Sequence, residues 1–372
     1  MMKLNNTFLY LVILLLSYGD IAAQKRNPKT NVTVSTAGKK WTESKAAEWY
    51  STHQWITGAN YLPASAINQL EMWQGETFDT ATINKEFGWA KNIGFNTMRV
   101  FLHSLVWKQD AEGFKKRINL YLNIAHRHGI KTMFVFFDDC WNAEPKPGKQ
   151  PEPKPGIHNS GWMQDPGQKA SSDTTLFPFL ESYVTDIMKT FSKDKRILLW
   201  DLYNEPGNSG KKDTSLALLK KVFQWARNVN PDQPISVGLW AWDFEKLNEF
   251  QLTNSDVVTY HNYEEPQWHR RVIELLKATG RPMICTEYMA RIRNNRFSNT
   301  MPLLKEKNIG AINWGFVSGK SNTIYAWDTP IASGDQPIEW FHDIYFRDGS
   351  PYRLDEVNLI RKLNEEKTPV KK

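Results

Sequence analysis

Cysteine is almost missing: Cys140 and Cys285 are the only two in 372 residues. Two thiols make neither a disulfide framework nor a cysteine metal cluster. Both are expected to be free, although an oxidising compartment would permit one bridge. An excess of acid is missing too, since 47 Lys and Arg stand against 40 Asp and Glu, for a net charge of +7. The surplus lies partly at the ends, at Lys25, Arg26, Lys29, Lys39 and Lys40 and again at Lys367, Lys371 and Lys372. No recognised nucleic-acid module gathers these charges onto a face, so no nucleic-acid partner is expected. The chain also lacks a phosphate-binding glycine fingerprint, a helical H-E-x-x-H and a G-x-S-x-G elbow. Nothing implies a nucleotide, a metal or another cofactor.

Long apolar runs are absent with one exception. Phe8–Leu16 follows Lys3 and precedes Ile21-Ala22-Ala23. That run is too short to span a bilayer and has the layout of a secretory signal over residues 1–23. An uncleaved anchor is the alternative. No Cys follows the cleavage region, so no lipid anchor is indicated. The mature chain is expected to be soluble, monomeric, free of the membrane, and secreted or periplasmic. Residues 24–45, polar and rich in Lys and Thr, read as a linker or loose arm. Residues 46–366 are expected to form a single domain, and residues 367–372 a basic tail.

What is abundant is tryptophan, sixteen in all. Such residues are either core filler or flat platforms for sugar rings, since indole offers a large rigid face and one N–H. Apolar strand-like runs also alternate with stretches of helical periodicity, the pattern of a parallel barrel with helices outside it. The eight strand candidates begin at Ile56, Thr97, Lys131, Ile197, Pro234, Asp256, Pro282 and Ala311. Helical stripes include Ile83, Phe87 and Ala90, then Ile118, Leu122 and Ala125, then Leu180, Val184, Ile187 and Phe191. A fold of this kind needs about 250 residues, so the length allows one large (β/α)8 TIM barrel with long loops after its strands.

The stretch that organises the rest is Ile197–Pro206, I-L-L-W-D-L-Y-N-E-P. It opens as a fully buried parallel strand would. Pro206 biases the residues before it to extended backbone, so Glu205 should sit at the strand's carboxyl end, where α/β folds carry their chemistry. A carboxylate beside an apolar core is costly unless it is paired or used. About 80 residues on, P-M-I-C-T-E-Y repeats the pattern and ends in Glu287. Taken alone, either Glu could simply cap a helix or pair with an Arg. Together they make the two carboxyl groups that glycoside hydrolysis requires.

On these residues the chain resembles the cellulase-like family 5 of the clan A glycoside hydrolases, from about Trp55 to Val317. The region beyond, with W-F-H-D-I-Y-F-R-D-G-S-P-Y, resembles bacterial secreted proteins of the cellulase or xylanase type. The resemblance implies a (β/α)8 barrel. It assigns Glu205, after Asn204 at the end of strand four, as acid/base, and Glu287 at the end of strand seven as nucleophile. It also matches Arg99 to strand two, His261 and Tyr263 to strand six, and Trp314 to strand eight, beneath the reacting sugar. Arg99 is expected to hold the nucleophile by two parallel hydrogen bonds; a structural salt bridge is the alternative. His103 is expected to face the same mouth, and Asn204 to bind the sugar 2-hydroxyl. His261 and Tyr263 share strand parity and should both point inward. Cys285 shares parity with Glu287 and is expected to do the same.

The implied activity is retaining hydrolysis of a β-linked poly- or oligosaccharide. A carbohydrate-binding barrel without turnover and a transglycosylase are the alternatives. Asp138 and Asp139, ending strand three, could bind sugar hydroxyls or cap the next loop. The Pro- and Gly-rich segment 142–175 reads as an excursion over the mouth, where His158, Asn159 and Trp162 could reach substrate. Whether it and loop 318–338 leave a cleft or close a pocket decides between internal and chain-end attack.

Overall fold

The computed structural model describes residues 38–366, so the expected leader at 1–23 and the tail at 367–372 lie outside it. Eight strands are all parallel: β1 Thr57–Asn60, β2 Thr97–Phe101, β3 Lys131–Asp138, β4 Ile197–Asn204, β5 Ile235–Ser236, β6 Val258–His261, β7 Met283–Glu287 and β8 Gly310–Asn313. Their order is β5-β4-β3-β2-β1-β8-β7-β6. A single parallel bridge, Leu239 to Tyr260, links the two ends of the sheet and all but closes the barrel. Each strand is followed by a helix, over 80–92, 111–127, 177–191, 216–229, 245–254, 266–277, 297–306 and 354–365. This is the (β/α)8 barrel.

Local chemistry sets the element ends. Asp79 accepts from Thr82 N at 3.0 Å and Asp110 from Gly113 N at 2.9 Å, satisfying donors at the starts of helices 80–92 and 111–127. Gly129, at φ 75°, ends the second of these, where left-handed backbone favours glycine. The amino-terminal end of the barrel is apolar. Met133, Leu199, Ile284 and Ile312 pack there with Ile56 and Val257, and Ala46 and Tyr50 of helix Glu43–Ser51 join the same cluster as a plug. Each Met, Leu, Ile or Val among them contributes about 1.5–3 kcal/mol on burial.

Several expectations need correcting. The arm is not loose where it is described: Gly38 N donates to Arg227 O, Lys40 Nζ to Leu252 O and Trp41 N to Asp256 Oδ1. Strand five is two residues long rather than seven. Cys285 does not face the barrel interior. A register shift between Tyr260 and His261 pairs Tyr260 with Cys285 but His261 with Glu287. The extra residue on β7, Thr286, breaks the alternation, and Cys285 packs in the outer core with Tyr260 and Tyr288. Both cysteines are free and buried. No helix among the described residues is long and apolar enough to cross a membrane.

Candidate active site

At the carboxyl ends of the strands the barrel interior turns polar. Arg99, on β2, is fully buried, and its donors reach four side chains. Nε donates to Asp201 Oδ2 at 2.9 Å, one terminal nitrogen to both Asn60 Oδ1 and Glu287 Oε1 at 2.8 Å, and the other to Asn204 Oδ1 at 2.7 Å. The expected pair of parallel bonds to Glu287 is therefore replaced by one. The other bonds tie β1 and β4 to the same guanidinium, and Asp201, two residues along the strand from Tyr203, balances its charge at 2.8 Å. A buried cation of this kind is tolerable only when its donors are all answered.

Glu287 receives a second hydrogen bond from the Tyr263 hydroxyl, at 2.8 Å on Oε2. Glu205 has different company. His261 Nδ1 lies 2.8 Å from Oε1, Asn208 Nδ2 donates to Oε2, and the Cys140 thiol donates to Oε2 at 3.3 Å. Among the described residues no Lys or Arg side chain is in salt-bridge contact with it. Its backbone is not extended as Pro206 led us to expect. β4 ends at Asn204, and Glu205 takes φ 45°, a left-handed conformation rare outside glycine. That turn carries the side chain off the strand toward His261, with 13% of it exposed to the cleft.

The two carboxyl groups face one another. Glu205, His261 and Glu287 each bring one donor atom within 4.8 Å of the others. Such a trio has the composition of a metal centre, but here Arg99 sits against Glu287, and all four carboxylate oxygens already have protein partners. Burial pushes both glutamates up from their ordinary range, and for Glu287 the neighbouring Glu205 adds to the effect. Burial also pushes His261 down, to about 4, so it is neutral near pH 7. Arg99 and Tyr263 favour the ionised form of Glu287, and Cys140, Asn208 and the more distant Arg99 charge favour that of Glu205, each against the larger effect of burial.

Asn204, Trp314, His261 and Tyr263 join the two glutamates in lining a cavity of about 1040 Å³. His103 does not line it. It is fully buried at the start of helix Ser104–Gln109, its Nδ1 accepting from Leu105 N and lying 3.7 Å from Asp165. It follows β2 by two residues, and the chain has already turned away from the mouth. Asp138 and Asp139 are buried beneath the site. Asp138 accepts from Asn204 Nδ2, Trp162 Nε1 and Cys140 N; Asp139 accepts from Tyr203, Ser215, Gly207 N and the Lys211 ammonium. They hold loops rather than reach the cavity. Asn208 and the thiol of Cys140 were not foreseen at the site, since neither side chain announces a carboxylate partner in one dimension. Asp201, charged in an apolar strand two residues from Tyr203, carried a signal that could have been read. Of the tryptophans, Trp73, Trp200 and Trp340 are core filler, while Trp141, Trp162, Trp240, Trp242, Trp314 and Trp327 line the cavity.

Opposed carboxyl groups at the strand ends of a (β/α)8 barrel, only one of them neutralised by a cation, define the class: this chain is an O-glycosyl hydrolase. It belongs to glycosyl hydrolase family 5, whose cellulase model matches residues 50–319. Among solved structures it is similar to the endo-β-1,4-mannanase of Thermotoga petrophila, with 15% identity over 83% of this chain and 76% of that one, at a TM-score of 0.54. It is also similar to a GH5_18 protein of Streptomyces cattleya solved with GlcNAc, at 13% identity, 85% and 82% coverage and a TM-score of 0.58. A third similar structure is the exo-β-1,4-mannosidase of Opitutaceae bacterium strain TAV5, at 15% identity, 83% and 59% coverage and a TM-score of 0.58. No curated protein matches the chain significantly.

Proposed function

We propose that the enzyme is a retaining β-glycosidase acting by double displacement on a β-linked oligosaccharide or polysaccharide. The observation that carries this is the approach of Glu205 and Glu287 oxygens to within 4.8 Å. Retaining enzymes hold their carboxyl groups about 5–5.5 Å apart, whereas inverting ones need about 6.5–9.5 Å to admit a water. Glu287 attacks the anomeric carbon as the glycosidic C–O bond breaks, and Glu205 gives its proton to the leaving oxygen. Glu205 then takes a proton from water, whose oxygen displaces Glu287 from the anomeric carbon. One water is consumed, and the anomeric configuration is kept. Asn204, fixed by Arg99 and Asp138, offers its amide to the 2-hydroxyl, and Trp314 lies under the ring. The leader at 1–23 makes it a secreted or periplasmic enzyme. β-Mannosides are the first sugars to test, because two of the similar structures are a β-1,4-mannanase and a β-1,4-mannosidase.

Glu287→Ala tests the assignment. We expect turnover of an aryl β-glycoside to fall on the order of 10⁴-fold or more with the melting temperature nearly kept. Added azide should restore activity to Glu287→Ala as the α-glycosyl azide and to Glu205→Ala as the β-anomer. Activity near wild type in Glu287→Ala, or the reverse pattern of anomers, rejects the assignment.

A further inference from the structure

The cavity is lined from six of the eight strand ends, and the loops after β1 and β2 contribute nothing to it. The cause is the loop after β3. It folds back across the β1 loop, where Asn68 Nδ2 donates to Gly161 O at 2.8 Å, Gln69 Nε2 to Met163 O at 3.0 Å and Gln74 Nε2 to Gly148 O at 2.9 Å. It then meets the loop after β8. Asn159 N donates to Ser321 O at 2.9 Å, Ile331 N to Gly156 O at 3.0 Å and Asn322 Nδ2 to Lys154 O at 2.9 Å, while His158 Nδ1 lies 2.8 Å from Tyr325 O. The seam is tight: a Cβ on Gly156, whose φ is 71°, would come within 1.7 Å of the Ile331 carbonyl oxygen. Segments 142–175 and 318–338 thus form one continuous wall over the β1 and β2 side of the mouth.

The chemistry says which half of the substrate that wall meets. An acid must stand beside the oxygen it protonates, so the leaving part of the glycan lies on the Glu205 side. There the loops after β4 and β5 present Asn208, Trp240, Trp242 and Phe244. The sugar that is transferred sits over Glu287 and Trp314. Beyond it stands Trp162, its ring edge-on to Trp314 at 5.5 Å, and then Asn159. Asn159 has φ 46°, is 1% exposed and lines the cavity, yet among the described residues neither Nδ2 nor Oδ1 has a protein partner. A buried amide with both ends unanswered is costly unless a ligand answers it, and a sugar hydroxyl both donates and accepts.

We infer that the wall makes this a chain-end enzyme. It takes one non-reducing terminal sugar over Trp314, with Trp162 packed edge-on to that indole as the end of the site, and Asn159 binds the hydroxyls farthest from the bond that is cut. This rests on the retaining-glycosidase reading and goes beyond it by fixing where on a chain the enzyme attacks. An internal sugar would carry a further residue where the wall stands.

The test uses the full-length enzyme on β-1,4-mannopentaose, cellopentaose and xylopentaose, each with a fluorophore on its reducing end, alongside the matching aryl β-monosides. We expect labelled products to shorten one sugar at a time, free monosaccharide as the only unlabelled product, and hydrolysis of the matching monoside. Labelled di- and trisaccharides at the earliest times, with unlabelled oligosaccharides and no monoside cleavage, overturn the inference. Absence of hydrolysis on every substrate would remove the underlying glycosidase reading, and the inference with it. Asn159→Ala, checked for an unchanged melting temperature, should raise KM at least tenfold with a smaller change in kcat. An unchanged KM takes Asn159 out of the site.

Discussion

The two glutamates differ less in burial than in company. Glu287 meets a guanidinium and a phenol, both donors to the ionised form. Glu205 meets a thiol, an amide and an imidazole that burial keeps neutral. Chemically identical side chains, less than 5 Å apart at their nearest, are given opposite tasks in the proposed mechanism. The difference teaches that the role of a carboxyl here is set by the strand it ends. β2 supplies the cation to β7, whereas the segment after β3 and the turn after β4 supply Glu205 with uncharged donors only. If that is right, Glu287 should fail when its cation or its phenol is removed, and Glu205 should gain stability when its charge is.

The largest effect is expected from Arg99→Met. It leaves Asp201 and Glu287 buried without a counter-charge, and removing one partner of a buried pair costs about 3–5 kcal/mol. Chemical denaturation should show that loss, with activity abolished. A variant as stable as the parent would mean that the guanidinium is not what permits charge at the barrel centre.

Tyr263→Phe is milder and more selective. A hydrogen bond to a charged group is worth about 1.5–3 kcal/mol, so kcat should fall roughly ten- to a hundredfold while the fold persists. The phenol favours ionised Glu287, so its loss raises that group's pKa. The acidic limb of the kcat/KM profile must therefore move to higher pH. A shift to lower pH, or none, would break the division of labour between the two carboxyl groups.

Much of this was legible in one dimension because barrel strands are buried on both faces and end abruptly. I-L-L-W-D-L-Y-N-E-P and P-M-I-C-T-E-Y announce both the strand and the carboxylate that ends it. The turn at Glu205 was misread because Pro206 argues for extended backbone, while Glu205 leaves the strand at φ 45°. Parity failed at Cys285 because a one-residue bulge at Thr286 is invisible in an alternating pattern. Helix Glu245–Asn254 went unforeseen, since Leu247 and Leu252 are the only apolar side chains it fully buries. His103 sits only two residues past β2, and nothing local says that the chain turns there into a helix start. The wall over β1 and β2 depends on hydrogen bonds between segments more than 150 residues apart, which no local pattern encodes.

The smallest expected effect runs against intuition. Glu205→Gln should abolish general acid catalysis yet stabilise the fold. Burial raises the Glu205 pKa above its ordinary 4.5, so the folded state prefers the neutral carboxyl. An acid whose pKa is raised on folding costs nothing below its unfolded pKa, and costs progressively more as pH climbs toward the folded one. Glutamine is neutral throughout and escapes that cost. A gain in stability is therefore expected near neutral pH, where the wild-type carboxyl is driven to ionise. It should shrink toward zero by pH 4, where wild-type Glu205 is protonated in both states. Melting temperatures of the two proteins measured from pH 4 to 8 check the sign. If the variant is equally stable across that range, or loses its advantage as pH rises, then Glu205 is not the carboxyl that the barrel holds protonated. The contrast with Glu287 would then have to be drawn the other way round.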